Sequence, residues 1–196
     1  MQTYLKQWRK TSNSKSKIVH SSLSNKSTLN DNNDFQSLCA VIGFIEIHWA
    51  QFEQGLDLIT EIAYRDLGGA ALHNRLPTGY SEKSCFLRKA FSKLIVLKSL
   101  NKEIIQILDI SDGLAKKRND LTHGAVTHLD SKDGVFHFSK IDSVKSEHSY
   151  RSFLFDLADF PELTKELLDL CVRKNNLAVK VEELKQGLNK SSLLKR

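Results

Sequence analysis

The chain has 196 residues, 40% hydrophobic and 27% charged, with 9 Gly and 2 Pro. These proportions exclude collagen-like and wholly disordered classes, suit one domain with tails, and favour long helices uninterrupted by Pro. The formal charge of +6 invites a nucleic-acid reading, so where that charge lies is decisive.

Residues 1–33 hold Lys6, Arg9, Lys10, Lys15, Lys17 and Lys26 against Asp31, a net of +5, together with seven Ser and five Asn. Such a segment cannot bury enough apolar surface to offset chain entropy, so a disordered basic tail is expected. Tyr4 and Trp8 among its cations have the chemistry to stack on bases, although a solvated leader is the simpler reading. Residues 179–196 carry a further +3, which leaves −2 for residues 34–178. A global basic groove is therefore excluded, and any RNA surface on the domain must be local.

Asp34 is a good N-cap for a first helix. From there Phe35, Leu38, Ile42, Ile45, Trp49, Phe52, Leu56, Ile59 and Ala63 alternate at intervals of three and four, the seam of a long amphipathic helix. Gly68-Gly69 should stop it, and Gly43 and Gly55 inside it suggest close helix approach. Ser81 caps a second helix that buries Phe86, Leu87, Ala90, Leu94 and Leu97. After a break near Leu100-Asn101, a third buries Ile104, Ile107, Leu108, Leu114 and Leu121 and ends at Gly124. The period then changes: Val126, His128 and Val135, Phe136, Phe138, Ile141 flank a polar turn ending in Gly134, which predicts a β-hairpin over about 125–141. A last helix begins near Pro161 with a stripe from Leu163 to Leu188. The expected organisation is a basic tail (1–33), a mainly α antiparallel helical bundle with a small hairpin before its last helix (34–187), and a basic C-terminal tail (188–196).

Cys39, Cys85 and Cys171 form no CxxC pair and are odd in number, which predicts buried free thiols rather than a zinc site or a disulfide framework. No apolar run is long enough for a membrane span and the N-terminus lacks a secretory core, so a cytoplasmic protein is expected.

The stretch with the most chemistry is Lys116-Lys117-Arg118-Asn119-Asp120-Leu121-Thr122-His123-Gly124. Asn119 and His123 are four apart and share a helix face, with Arg118 one residue around. A planar, permanently charged guanidinium, an amide and an imidazole at a helix end suit a phosphodiester. Arg binds phosphate oxygens bidentately, and His transfers protons near neutral pH. The same residues also have a structural reading, since Arg and His near a helix C-terminus favour its dipole and Gly124 is an ordinary residue past the cap. The histidine pair His128 and His137 can face each other across the hairpin, without a metal-ligand spacing that would assign an ion.

Arg118-Asn119-x-x-x-His123 resembles the signature of the HEPN superfamily, an Arg, a polar residue and a His near the end of a core helix. Trp49-x-x-x-Glu53 on the first helix, the hairpin after His123-Gly124 and the long last helix are similar to bacterial members. The resemblance implies an α-helical bundle that dimerises, apposing the motif of two protomers in one cleft. It further implies a metal-independent endoribonuclease, a toxin or phage-defence effector, with no cofactor. Arg118 would stabilise the phosphate, His123 would act as acid or base, and Asn119 would position them, the RNA supplying its own 2′-hydroxyl nucleophile. Lys116 and Lys117 are candidates to track the RNA backbone. Glu46 and Glu53, seven apart on the first helix, are candidate partners for Arg118. Toxin members imply an antitoxin or regulatory partner; some carry a modifiable Tyr two residues after the His, where this chain has Ala125. The alternative reading is a catalytically inactive HEPN-like dimerisation, adaptor or ligand-binding module.

Overall fold

The structure, a computed structural model, describes residues 29–130, 133–144 and 147–193. Tyr4, Trp8 and nearly all of the expected N-terminal tail lie outside the described residues. The chain is mainly helical, with four α-helices among the described residues: α1 (Leu29–Glu61), α2 (Tyr80–Lys93), α3 (Asn101–His123) and α4 (Phe160–Leu193). Between α3 and α4 stands an antiparallel sheet of β1 (Ala125–Asp130), β2 (Val135–Val144) and β3 (Glu147–Asp156). Two compact units partition the chain, one of residues 1–44 and 117–163, the other of 45–116 and 164–196.

In the second unit the expected seam is the core. Ile45, Trp49, Phe52, Leu56, Ile59 and Ala63 of the first helical stretch are buried, as are Phe86, Leu87, Ala90, Ile104, Ile107 and Leu108. Helix α1 starts five residues before Asp34 and ends in a π-helical turn, Ile62–Asp66, just before Gly68-Gly69. Leu97 is buried on a 3-10 segment, Ile95–Leu100, rather than on a continuation of α2, because the backbone turns extended at Leu94. Helices α1 and α4 run parallel in this unit: the Cys171 thiol points to the His48 carbonyl, Lys174 Nζ donates to the Gln51 carbonyl at 3.2 Å, and Lys185 pairs with Asp66 at 3.1 Å.

Gly55 explains the Lys174 contact. A Cβ there would overlap the Lys174 side chain, so the bare glycine is the slot into which the lysine stem packs. Gly43, by contrast, has open space around it, and the expected close approach does not occur there. Lys174 is buried with no carboxylate partner among the described residues, and burial pushes its amine below the usual lysine range, with the Cys171 thiol opposing weakly. A folded-state pKa below the unfolded one means the unfolded chain holds the proton more tightly, so stability should rise as pH climbs towards 10.5. Lys174→Met, which fills the slot without a charge, is expected to stabilise the protein by about 1 kcal/mol, or roughly 2–4 °C, and to flatten that alkaline rise. A thermal melt at pH 7 and pH 9.5 checks it; a lower melting temperature for the variant would refute the account.

In the first unit, Leu38, Val41, Leu121, Phe136, Phe138, Phe153, Phe155 and Leu163 are buried. Phe44 and Phe160 meet edge to face at 5.7 Å. Phe35, expected on the seam, is half exposed, and Val41 rather than Ile42 is the buried residue of its turn.

Three expectations need correction. The β-element is a three-stranded meander, not a hairpin over 125–141. Strand β3 has no clean alternation to reveal it, because Phe153-Leu154-Phe155 is a continuous apolar run and Arg151 occupies the inward face. The last helix extends to Leu193, through Gly187 and into the segment expected as a tail, because no Pro follows to stop it. Cys39 and Cys85 are exposed and Cys171 half-buried, all three free; Cys39 and Cys85 each lie one position around the helix from a buried residue, Leu38 and Phe86.

Candidate functional site at the end of helix α3

The last turns of α3 lie against the inner face of the sheet, and the register shows why. Phe136 and Phe138 of β2 and Phe153 and Phe155 of β3 are cross-strand partners pointing inward, with Lys140, Asp142 and Arg151 continuing the same face. Phe138 and Phe153 stack at 5.0 Å with an interplanar angle of 8°, and the Arg151 guanidinium lies over Phe153 at 5.3 Å. Gly124 allows the helix end to come this close. A Cβ there would stand 2.6 Å from the Asp120 carbonyl and 3.0 Å from both rings, while its N–H closes the helix by donating to that carbonyl at 2.9 Å.

Asp120, inside the motif, is the anchor. It is buried and receives both Arg151 Nη1, at 2.9 Å, and Arg151 Nη2. Lys140 Nζ approaches the Asp120 carboxylate at 3.4 Å and donates to the Asn119 carbonyl at 3.2 Å. Arg151 Nε donates to Asp142 at 2.9 Å. Burial alone would raise the Asp120 carboxyl, but Arg151 and then Lys140 more than offset this and hold it below the ordinary range. Asp120 and Asp142 in turn raise the Arg151 guanidinium. Sequence reasoning missed all four residues. The available signal was Asp120 itself, a carboxylate one turn before the helix end, where the dipole disfavours it unless a cation is supplied.

The expected site residues emerge on the other side. Asn119 and His123 are exposed, and Arg118 is half-buried. Arg118 Nη1 donates to Asn119 Oδ1 at 2.9 Å, so the guanidinium and the amide are brought together, while His123 stands one turn further along the face of Asn119. Lys116 is exposed and Lys117 half-buried. Glu46 and Glu53, also half-buried, belong with Lys116 to the second unit; Lys140 and Arg151 of the first unit pair with the motif. His128 and His137 are directly opposed across β1 and β2, their rings 5.3 Å apart on the outer face of the sheet.

Among the described residues there is no group of three or more side chains arranged to hold a metal ion, and no helix is long and apolar enough to cross a membrane. Comparison with known proteins yields no matching family model, no matching curated protein and no matching solved structure.

Proposed function

We propose that this chain is a metal-independent endoribonuclease of the HEPN type, a toxin or phage-defence effector, acting as a homodimer with the two copies of the motif sharing one cleft. The observation that carries the reading is the division of labour within six residues. Asp120 is committed inward to Arg151 and Lys140, whereas Asn119 and His123 present their side chains to solvent and Arg118 lies against Asn119. A helix end fastened from behind by its own carboxylate holds the exposed Asn119 and His123 in a fixed position.

The chemistry follows from those groups. His123 takes the proton of the RNA 2′-hydroxyl as its oxygen bonds to phosphorus, and a protonated His123, from either copy, returns a proton to the departing 5′-oxygen as the P–O5′ bond breaks. The products are a 2′,3′-cyclic phosphate and a 5′-hydroxyl. Arg118 stabilises the charge gathering on the non-bridging oxygens, and Asn119 holds the guanidinium in line. Lys116 and Lys117 extend the positive path for the backbone.

Purified protein should cleave single-stranded RNA in EDTA, leave DNA intact for want of a 2′-hydroxyl, and lose activity with His123→Ala. Undiminished cleavage by that variant would sink the assignment. The Arg118–Asn119 bond also favours a second reading, a non-catalytic HEPN-like adaptor in which the guanidinium is structural. There, wild-type protein would leave RNA intact and Arg118→Ala would lower the melting temperature.

A further inference from the structure

The two edges of the sheet are finished differently. Strand β1 is six residues long and carries a bulge: the register shifts between Val126 and His128 and skips Thr127, whose hydroxyl donates to the His137 carbonyl at 3.2 Å. Bulged, short edges resist further pairing. Strand β3, the opposite edge, is ten residues long, pairs with β2 through ten consecutive positions with no irregularity, and contains neither Pro nor Lys. Among the described residues no strand pairs with its outer side. An edge of this kind is a template for one more strand.

The outward face of β3 reads His148, Tyr150, Ser152, Leu154, Asp156, and this order is complementary to its own reverse. Antiparallel pairing of two β3 strands about Ser152 sets Ser152 opposite Ser152 of the second copy. It also sets Tyr150 opposite Leu154 and position 148 opposite position 156, each pair made twice, while the Asp156 carboxylate keeps its hydrogen bond from the Ala158 amide. Tyr150 is 68% and Leu154 41% exposed, so the pairing covers apolar surface that this chain leaves in solvent. A slip by one residue would set the Tyr150 ring against an inward-facing position and lose every pair.

We propose that β3 is the dimerisation edge, joining two copies into one continuous six-stranded sheet with the two-fold axis at Ser152. This deepens the homodimer part of the functional reading and rests on it for its catalytic meaning. The axis falls next to Arg151, the residue that fastens Asp120 and with it the end of α3. Both α3 termini then lie on the same inner face of the joined sheet, each within about two strand spacings, ~10 Å, of the axis. The two helix ends that carry Arg118, Asn119 and His123 thereby share one face of the joined sheet.

The experiment is cysteine trapping of the full chain in a Cys39→Ser/Cys85→Ser background. Ser152→Cys places two thiols opposite one another at a backbone separation that accepts a disulfide. Near-complete covalent dimer is expected under mild oxidation, at least tenfold faster than for the control Ser139→Cys, which lies on the same face one strand inward. Ser152→Lys sets two like charges together at the axis and should weaken dimerisation at least tenfold in sedimentation, with an unchanged melt by circular dichroism at monomer concentrations. Cross-linking no faster than the control, a Ser152→Lys dimer as tight as wild type, or a wild-type monomer at micromolar concentration each overturn the proposal. A trapped dimer without RNA cleavage fails only the ribonuclease reading; RNA cleavage by a dimer indifferent to Ser152 fails only this one.

Discussion

Replacing His123 with Ala is expected to lower RNA cleavage by roughly two to four orders of magnitude, the usual contribution of a positioned acid–base group. Stability should hardly move, within about 0.5 kcal/mol, because His123 is exposed in the final turn of α3. The combination is what makes the test sharp. Had His123 served mainly to satisfy the last carbonyls of the helix, its loss would appear as a lower melting temperature. Arg118→Lys extends the argument. It keeps the charge but loses the planar fork that can hold Asn119 and a phosphate at once, so cleavage should fall by about tenfold or more while binding at low salt persists. Assays of turnover and melting temperature on the same preparations settle both points.

The helices were legible in the sequence because burial there follows one clear period. The seam from Leu38 to Ala63 is one-sided, and six of its members from Ile45 onward are buried in the second unit as the spacing requires. The period fails where polar groups are buried in pairs. Arg151 is a charge on the inward face of a strand, and nothing within β3 announces that Asp120, 31 residues earlier, neutralises it. The same pairing hid the third strand and the anchor of the site together. Lys174 is a similar case: its burial depends on the missing side chain of Gly55, so the glycine could be read as a close approach but not as a slot for a lysine. The outward groups Arg118, Asn119 and His123 were legible as chemistry because they are unusual for a helix end. Their inward complement was not, because salt bridges across an element boundary leave no periodic trace.

Replacing Asp120 with Ala is expected to destabilise the protein by about 2–3 kcal/mol, which for a chain of this size lowers the melting temperature by roughly 5–10 °C. The cost comes less from the attraction lost than from what remains. Arg151 and Lys140, both shielded from water to a large extent, lose their shared carboxylate; among the described residues Asp142 is the carboxylate left to them, and Lys140 keeps the Asn119 carbonyl. Because Arg151 is about a third exposed, solvent screens part of the loss, which brings the figure below the usual range for broken buried pairs. The pH dependence identifies the cause. Asp120 has a folded-state pKa below its ordinary value of 3.8, so its contribution is fully present above that value and disappears as pH falls through the lower folded-state value. Wild type and Asp120→Asn should therefore differ most at pH 5–7 and converge towards pH 2. Asn keeps the shape of the side chain, so a gap of equal size at pH 2.5 and pH 7 would mean that shape, and not charge, fastens α3 to the sheet. In that event the outward placement of Arg118, Asn119 and His123 would owe nothing to Arg151.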